Sequence, residues 1–231
     1  MQNIERLGTI YGGWILPKDI KLNEDSVIYS VGVGEDMSFD MILSDRHKCN
    51  IILIDPTRKA KKHYEEVTHY YENIKWKITG NVQEDYYGIM YPLKPDLTKI
   101  SYIEKALWDE KMDEVKFYKQ DNEDYVSQSL MEGIYGEKYD IVSTETLKNI
   151  RDENEDFDID ILKLNTSGAE IKILHSMLNE NIFPNYICIN FNVKKQSNQD
   201  NIIAILTRLQ CVRYQIIANE GAKFTLKLIK T

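Results

Sequence analysis

The sequence predicts an α/β protein: a mixed but mainly parallel sheet covered by helices on both faces. Three observations carry that reading. Short apolar runs alternate with segments of helical period along most of the 231 residues. The first such run passes straight into a glycine turn and a helix opening, and the chain ends on two apolar runs separated by Asn219-Glu-Gly221, the mark of an antiparallel hairpin.

The lead-in, residues 1–25, is turn-rich, with Tyr11-Gly-Gly-Trp14 and Pro17. Trp14 either packs on the sheet edge or, with Tyr11, closes over a bound ligand. Val27-Ile28-Tyr29 then opens the sheet and leads into Ser30-Val-Gly-Val-Gly-Glu-Asp-Met-Ser-Phe-Asp40. Gly32 and Gly34 suit a tight strand-to-helix turn. The following helix, expected from Ser38 to Asp45, presents free N–H groups to a ligand at the carboxyl edge of the strands.

Asn50-Ile-Ile-Leu-Ile-Asp55-Pro-Thr57 reads as a second buried strand ending in a carboxylate. Asp55 falls 21 residues after Gly34, the spacing at which doubly wound folds bind both hydroxyls of a ribose. Asp-Pro-Thr is also a good helix start, and the two roles are compatible. Residues 57–72 are helical in pattern, and Arg58, Lys59, Lys61 and Lys62 form a solvated basic face there. Residues 79–99, with two glycines, two prolines and three tyrosines, read as an inserted loop that either shapes a cleft or decorates the surface.

Ser101 to Trp108 reads as a third strand leaving into a turn at Asp109, Glu114 to Tyr118 as a strand of period two, and Tyr139 to Ser143 as a short strand. A helix is expected from Thr144, carrying Leu147 and Ile150 and ending in the acidic loop 152–156. Asp158 to Asn165 is a buried strand, and Thr166-Ser-Gly-Ala-Glu170 turns it into a helix with Ile171, Leu174, His175 and Leu178 on one face. Asn165 thereby joins Gly34 and Asp55 at the carboxyl edge. Pro184 to Asn192 supplies a further strand, residues 201–209 a helix, and Tyr214 to Ala218 with Lys223 to Ile229 the closing hairpin.

The chain reads as one domain. A formal net charge of −8 and the lack of a long lysine-arginine stripe argue against a nucleic-acid surface. No apolar run is long enough to span a bilayer and no apolar signal core opens the chain, so a cytoplasmic protein is expected. Cys49, Cys188 and Cys211, odd in number and far apart, suit reduced, partly buried thiols, and nothing in their spacing points to a metal.

Taken together, the glycine motif at residues 30–40, Ile54-Asp-Pro-Thr57, Ala106-Leu-Trp-Asp109 leading into Val115-Lys-Phe-Tyr118, and Ile161-Leu-Lys-Leu-Asn-Thr-Ser-Gly-Ala-Glu170 resemble the FkbM-type methyltransferases. The resemblance runs from about Trp14 to Asn192. It implies a Rossmann-like class I methyltransferase fold, seven-stranded with a reversed last hairpin, and S-adenosyl-L-methionine as cofactor. It also implies O-methylation of a sugar hydroxyl on a glycan or glycoconjugate. The cofactor would lie against Gly32, Val33, Gly34, Glu35, Ser38, Asp55, Pro56, Thr57, Ala106, Leu107 and Asn165. Tyr11, Trp14 and Asn190 would serve as lid or substrate contacts, and no metal is expected.

This chain departs from the family pattern: Asn165, Asn190 and Asn192 stand where that pattern has groups able to bind a metal or take a proton. Methyl transfer from a sulfonium is an in-line displacement, and a hydroxyl acceptor benefits from a positioned base. Glu170 and His175 are the first candidates, with Asp36 and Asp109 behind them. Glu170 could equally complement the positive end of its helix, and His175 could be a structural imidazole. Asn165 can orient a ligand by hydrogen bonds but cannot act as a base. Two other functions remain open at this level. One is a methyltransferase fold that binds without catalysis; the other is a nicotinamide-dependent oxidoreductase, which the missing third glycine of the dinucleotide fingerprint disfavours.

Overall fold

The computed structural model describes residues 3–72, 76–122, 125–191 and 197–230. The lead-in is a hairpin: β1 (Ile4–Leu7) pairs antiparallel with β2 (Trp14–Pro17). These two strands, too short to show a period, were legible in sequence only as turns.

β3 (Val27–Val31), α1 (Ser38–His47), β4 (Asn50–Ile54) and α2 (Arg58–Glu72) follow as the sequence pattern predicts. The expected loop at 79–99 instead holds a short helix, α3 (Tyr86–Met90). Tyr86 and Met90, one helical turn apart, are its buried residues, and Tyr71 donates to the Met90 carbonyl at 2.7 Å.

The expected third strand divides into β5 (Ile100–Ile103) and β6 (Ala106–Trp108). β7 (Val115–Lys119), β8 (Gln128–Ser129) and β9 (Tyr139–Val142) make a separate antiparallel sheet with β7 in the centre. β10 (Thr144–Thr146) pairs in parallel with β6, so Thr144 lies in a strand and not in a helix. α4 (Leu147–Glu153) starts three residues later than expected, because the Thr146 hydroxyl accepts the Asn149 amide at 3.1 Å and caps it.

β11 (Ile161–Leu164), α5 (Glu170–Asn179), β12 (Tyr186–Asn190) and α6 (Ser197–Cys211) complete the alternation. β13 (Tyr214–Glu220) and β14 (Lys223–Leu228) form the closing hairpin. Its turn is Gly221-Ala222; Asn219 belongs to the strand and its side chain donates to the carbonyls of Gly221 and Lys223.

The central sheet has seven strands in the order β13-β14-β12-β11-β3-β4-β5. All run parallel except β14, which is antiparallel to both neighbours. The fold is thus mixed α/β with a mostly parallel sheet and six helices among the described residues, compatible with a Rossmann-like arrangement. The chain steps outward from β3 to β5, then returns to place β11 on the other side of β3. That reversal leaves a crevice beyond the carboxyl ends of β3 and β11.

The strands are apolar on both faces, as a covered parallel sheet requires. Tyr29, Ile52, Leu162 and Ile187 pack with α4, α5 and α6, while Ile28, Ile51, Leu53 and Ile161 pack with α1, α2 and the N-terminal hairpin. Trp14 lies in this second core, 2 % exposed. Cys49 and Cys188 are buried free thiols; Cys211, expected to be partly buried, is exposed. Among the described residues no helix is long and apolar enough to cross a membrane.

Candidate functional site

At the end of β3 the chain turns through two left-handed glycines. Gly32 has φ +71°, its amide donates to the Ile54 carbonyl at 2.9 Å, and a Cβ there would lie 2.1 Å from the Asn165 carbonyl oxygen. Only glycine lets β3 and β11 end this close together. Gly34, at φ +60°, has room for a Cβ, which would stand in ordinary contact with the Val126 side chain at 3.8 Å.

Asp55 ties this turn to the neighbouring strand. Its Oδ2 accepts the Gly34 amide at 3.0 Å, and its Oδ1 accepts the Thr57 amide and hydroxyl at 2.8 and 2.7 Å. The Thr57 hydroxyl in turn accepts the Ala60 amide at 3.2 Å, so the helix-start role is realised. Burial pushes the Asp55 carboxyl above the usual carboxylate range, against the pull of the Thr57 and Gly34 donors. Oδ1 is filled by its two donors, and Oδ2, with one, keeps acceptor capacity for a ligand hydroxyl.

Asp36, next after the glycine turn, accepts the Ser38 amide and hydroxyl at 3.0 and 2.6 Å and the Thr9 hydroxyl at 2.5 Å. It thereby joins the N-terminal hairpin to the first turn of α1. The facing wall comes from the end of β11, where Asn165 Oδ1 accepts the Asn190 amide nitrogen at 3.0 Å. The Thr166-Ser-Gly168 turn follows, with φ +54° at Ser167 and +115° at Gly168. It is held by the β8 region: the Ser129 hydroxyl donates to the Ser167 carbonyl at 2.8 Å, and the Tyr135 hydroxyl to Ser167 Oγ at 3.0 Å.

These walls enclose a cavity of about 210 Å³ at the carboxyl edge of the sheet. Of the residues expected to hold the cofactor, Gly32, Val33, Gly34, Glu35, Asp55, Pro56, Thr57, Ala106, Leu107 and Asn165 all line it, as does Tyr11. Ser38 does not: it is buried, bonded to Asp36 and accepting the Thr9 amide at 2.9 Å.

Five other expected residues also lie off the wall. Trp14 belongs to the core beneath the hairpin, since a large indole on a short strand packs where apolar area is available. Asn190 reaches the site only through Asn165. Glu170 is buried and accepts the amides of Thr166 and Gly168 at 2.9 to 3.0 Å, closing the turn that leads into its own helix. Burial raises its carboxyl, with those donors opposing. His175 faces α6, its Nδ1 accepting from Arg208 at 2.7 Å; partial burial and then the guanidinium lower its pKa. Asp109 pairs with Lys172 at 3.7 Å and is likewise off the wall. Of the four candidate bases, only Asp36 lines the cavity. Asn192 lies outside the described residues.

Sequence reasoning missed part of the cover. Asn81 to Gln83 line the cavity from the 79–99 insert and Phe117 from β7, both read from the sequence, whereas Tyr125 to Ser127 and Leu130 line it from irregular segments without apolar period. Lys163 also lines it, and a lysine inside the apolar strand Ile161-Leu-Lys-Leu164 was a readable signal. Its ammonium donates to the Ser30 hydroxyl at 3.0 Å. Among the described residues no group of three or more His, Cys, Asp or Glu could hold a metal ion. No protein-family model matches the chain, and no curated protein is significantly similar to it.

Proposed function

We propose that the protein is an S-adenosyl-L-methionine-dependent O-methyltransferase of the FkbM type acting on a sugar hydroxyl of a glycan or glycoconjugate. The observation that carries this reading is that one cavity gathers the Gly32–Gly34 turn, Asp55 at the end of the neighbouring strand and Asn165 across the crevice. The sheet order, with β14 alone reversed, supports the same class.

The residues present fit the cofactor. The Gly34 backbone, bare of a side chain, admits close approach, and Asp55 Oδ2 has acceptor capacity for a ribose hydroxyl. Pro56, Ala106, Leu107 and Phe117 offer apolar surface for a base, and the carboxylates of Glu35, Asp36 and Asp55 suit a cationic ligand. When bound, the cofactor supplies an activated methyl group on a sulfonium. The chain's own contribution is alignment of the acceptor, exclusion of water by Tyr11 and Tyr125, and acceptance of the acceptor's proton at the Asp36 carboxylate.

A second reading is favoured by a specific observation. With Glu170 spent on backbone amides and His175 turned toward α6, a methyltransferase-like fold that binds the cofactor without transfer accounts for the same cavity. Calorimetry with S-adenosylmethionine, S-adenosylhomocysteine and NAD tests both. The first two should bind, and binding of NAD alone would overturn the cofactor assignment. Transfer assays over a panel of sugars, with and without manganese, then separate enzyme from binding module.

A further inference from the structure

Lysine is almost never fully buried unless it is paired. Lys163 nevertheless stands inside the apolar strand β11, between Leu162 and Leu164, and is 2 % exposed. In the sheet register its neighbours are Ser30 of β3 and Cys188 of β12, and Asp40 of α1 faces it. An ammonium has three N–H groups to donate. One goes to the Ser30 hydroxyl at 3.0 Å, while Asp40 Oδ2, at 3.7 Å, is beyond hydrogen-bond reach. Among the described residues no other group accepts from it. Two unmet N–H groups on a buried cation are costly, so packing alone is a poor account of this lysine.

The same side chain belongs to the cavity wall, beside Gly32 and Asn165. The charged residues on that wall are Glu35, Asp36, Asp55 and Lys163, which is its one cation among the described residues. An anionic group entering the cavity is repelled by three of them and attracted by one. S-adenosyl-L-methionine carries a single anionic group, the carboxylate of its amino-acid end.

We propose that Lys163 is the binding residue for that carboxylate, donating its unmet N–H groups to the carboxylate oxygens and so selecting ligands with an intact amino-acid end. The proposal rests on the cofactor reading above and holds whether or not the methyl group is transferred. Asp40 balances the ammonium from a distance at which it does not compete for those N–H groups.

Calorimetry tests this without turnover. The probes are S-adenosylhomocysteine and its decarboxylated analogue S-adenosyl-3-thiopropylamine, which keeps the nucleoside, the thioether and the amine. The native protein should bind the first at least about tenfold more tightly. Lys163→Met combined with Asp40→Leu removes the cation without stranding a buried acid. In that double variant the ratio should fall close to one, with affinity for the decarboxylated analogue unchanged.

Equal affinities in the native protein, or a tenfold ratio that survives in the double variant, overturn the proposal and leave the cofactor reading standing. Absence of binding by both ligands overturns the cofactor reading and the proposal with it. A crystal structure of the native protein with S-adenosylhomocysteine requires no variant to fold. The carboxylate should lie within hydrogen-bond distance of Lys163 Nζ, and a carboxylate placed elsewhere overturns the assignment.

Discussion

Lys163 Nζ and Asp40 Oδ2 face each other at 3.7 Å in the interior, on β11 and α1, with Asp40 fully buried and Lys163 2 % exposed. The distance is too long for a hydrogen bond, and among the described residues neither Asp40 oxygen has a partner at full hydrogen-bond geometry, although Ser30 lies near enough to favour the ionised carboxyl. Burial pushes the Asp40 carboxyl upward more strongly than Lys163 draws it down. The pair is therefore held in place by its surroundings more than by its own attraction.

Removing one partner should expose that imbalance. Lys163→Met leaves a buried acid without its counter-charge and is expected to cost about 3–5 kcal/mol in urea unfolding. Adding Asp40→Leu should recover most of the loss. A double variant as unstable as the single one would show that Lys163 acts through packing alone.

Asp55 couples the turn to the second strand, so its replacement should register twice. Asp55→Ala is expected to destabilise by about 1–3 kcal/mol through loss of the Gly34 and Thr57 bonds. It should also weaken S-adenosylhomocysteine at least about tenfold. Thr57→Ala removes only the side-chain contacts to Asp55 and Ala60 and should lower stability by about 1 kcal/mol with a smaller loss of affinity than Asp55→Ala. Unchanged affinity in Asp55→Ala would sink the ribose assignment.

The two glycines of the turn should behave differently. Both carry positive φ, which costs an alanine about 1–2 kcal/mol. Gly32→Ala in addition drives a methyl into the Asn165 carbonyl. It should fail to fold or lose well over 3 kcal/mol, while Gly34→Ala should fold with only the backbone cost. Thermal unfolding of the two variants makes the comparison.

His63 is buried, its Nε2 2.7 Å from the Tyr86 hydroxyl and its Nδ1 3.2 Å from the Thr79 carbonyl. The carbonyl can only accept, so Nδ1 carries the proton and Nε2 accepts from Tyr86. Burial lowers the His63 pKa. A base whose folded pKa is depressed contributes stability that is complete above its unfolded value of about 6.5 and is lost as pH falls below it. Unfolding free energy should thus decline between pH 7 and 5.5, and the slope should flatten in His63→Phe. An identical slope in the variant would rule out His63 as its source.

The central strands were legible because a covered parallel sheet needs unbroken apolar runs, as in Ile51 to Ile54, and Gly32 and Gly34 because no other residue suits their backbone. Asp55 was legible by spacing. Glu170 was not, since the same carboxylate serves a cavity or its own helix turn, and only the bonds to Thr166 and Gly168 decide between them. The cover at Tyr125 to Gln128 was hidden because it reaches the cavity through an insert between β6 and β10 whose strands pair with one another. The β1–β2 hairpin was hidden by the brevity of its strands.

The adjacency of β3 and β11 also has a bearing on biosynthesis. Ser30 and its sheet partner Lys163 are separated by 133 residues. At ordinary translation rates that interval takes roughly 7 to 27 s. Throughout it, the apolar edge of β3 has no neighbour on that side, so the nascent chain passes through a window in which a strand-binding chaperone, or a second nascent copy, competes for the place that β11 later fills.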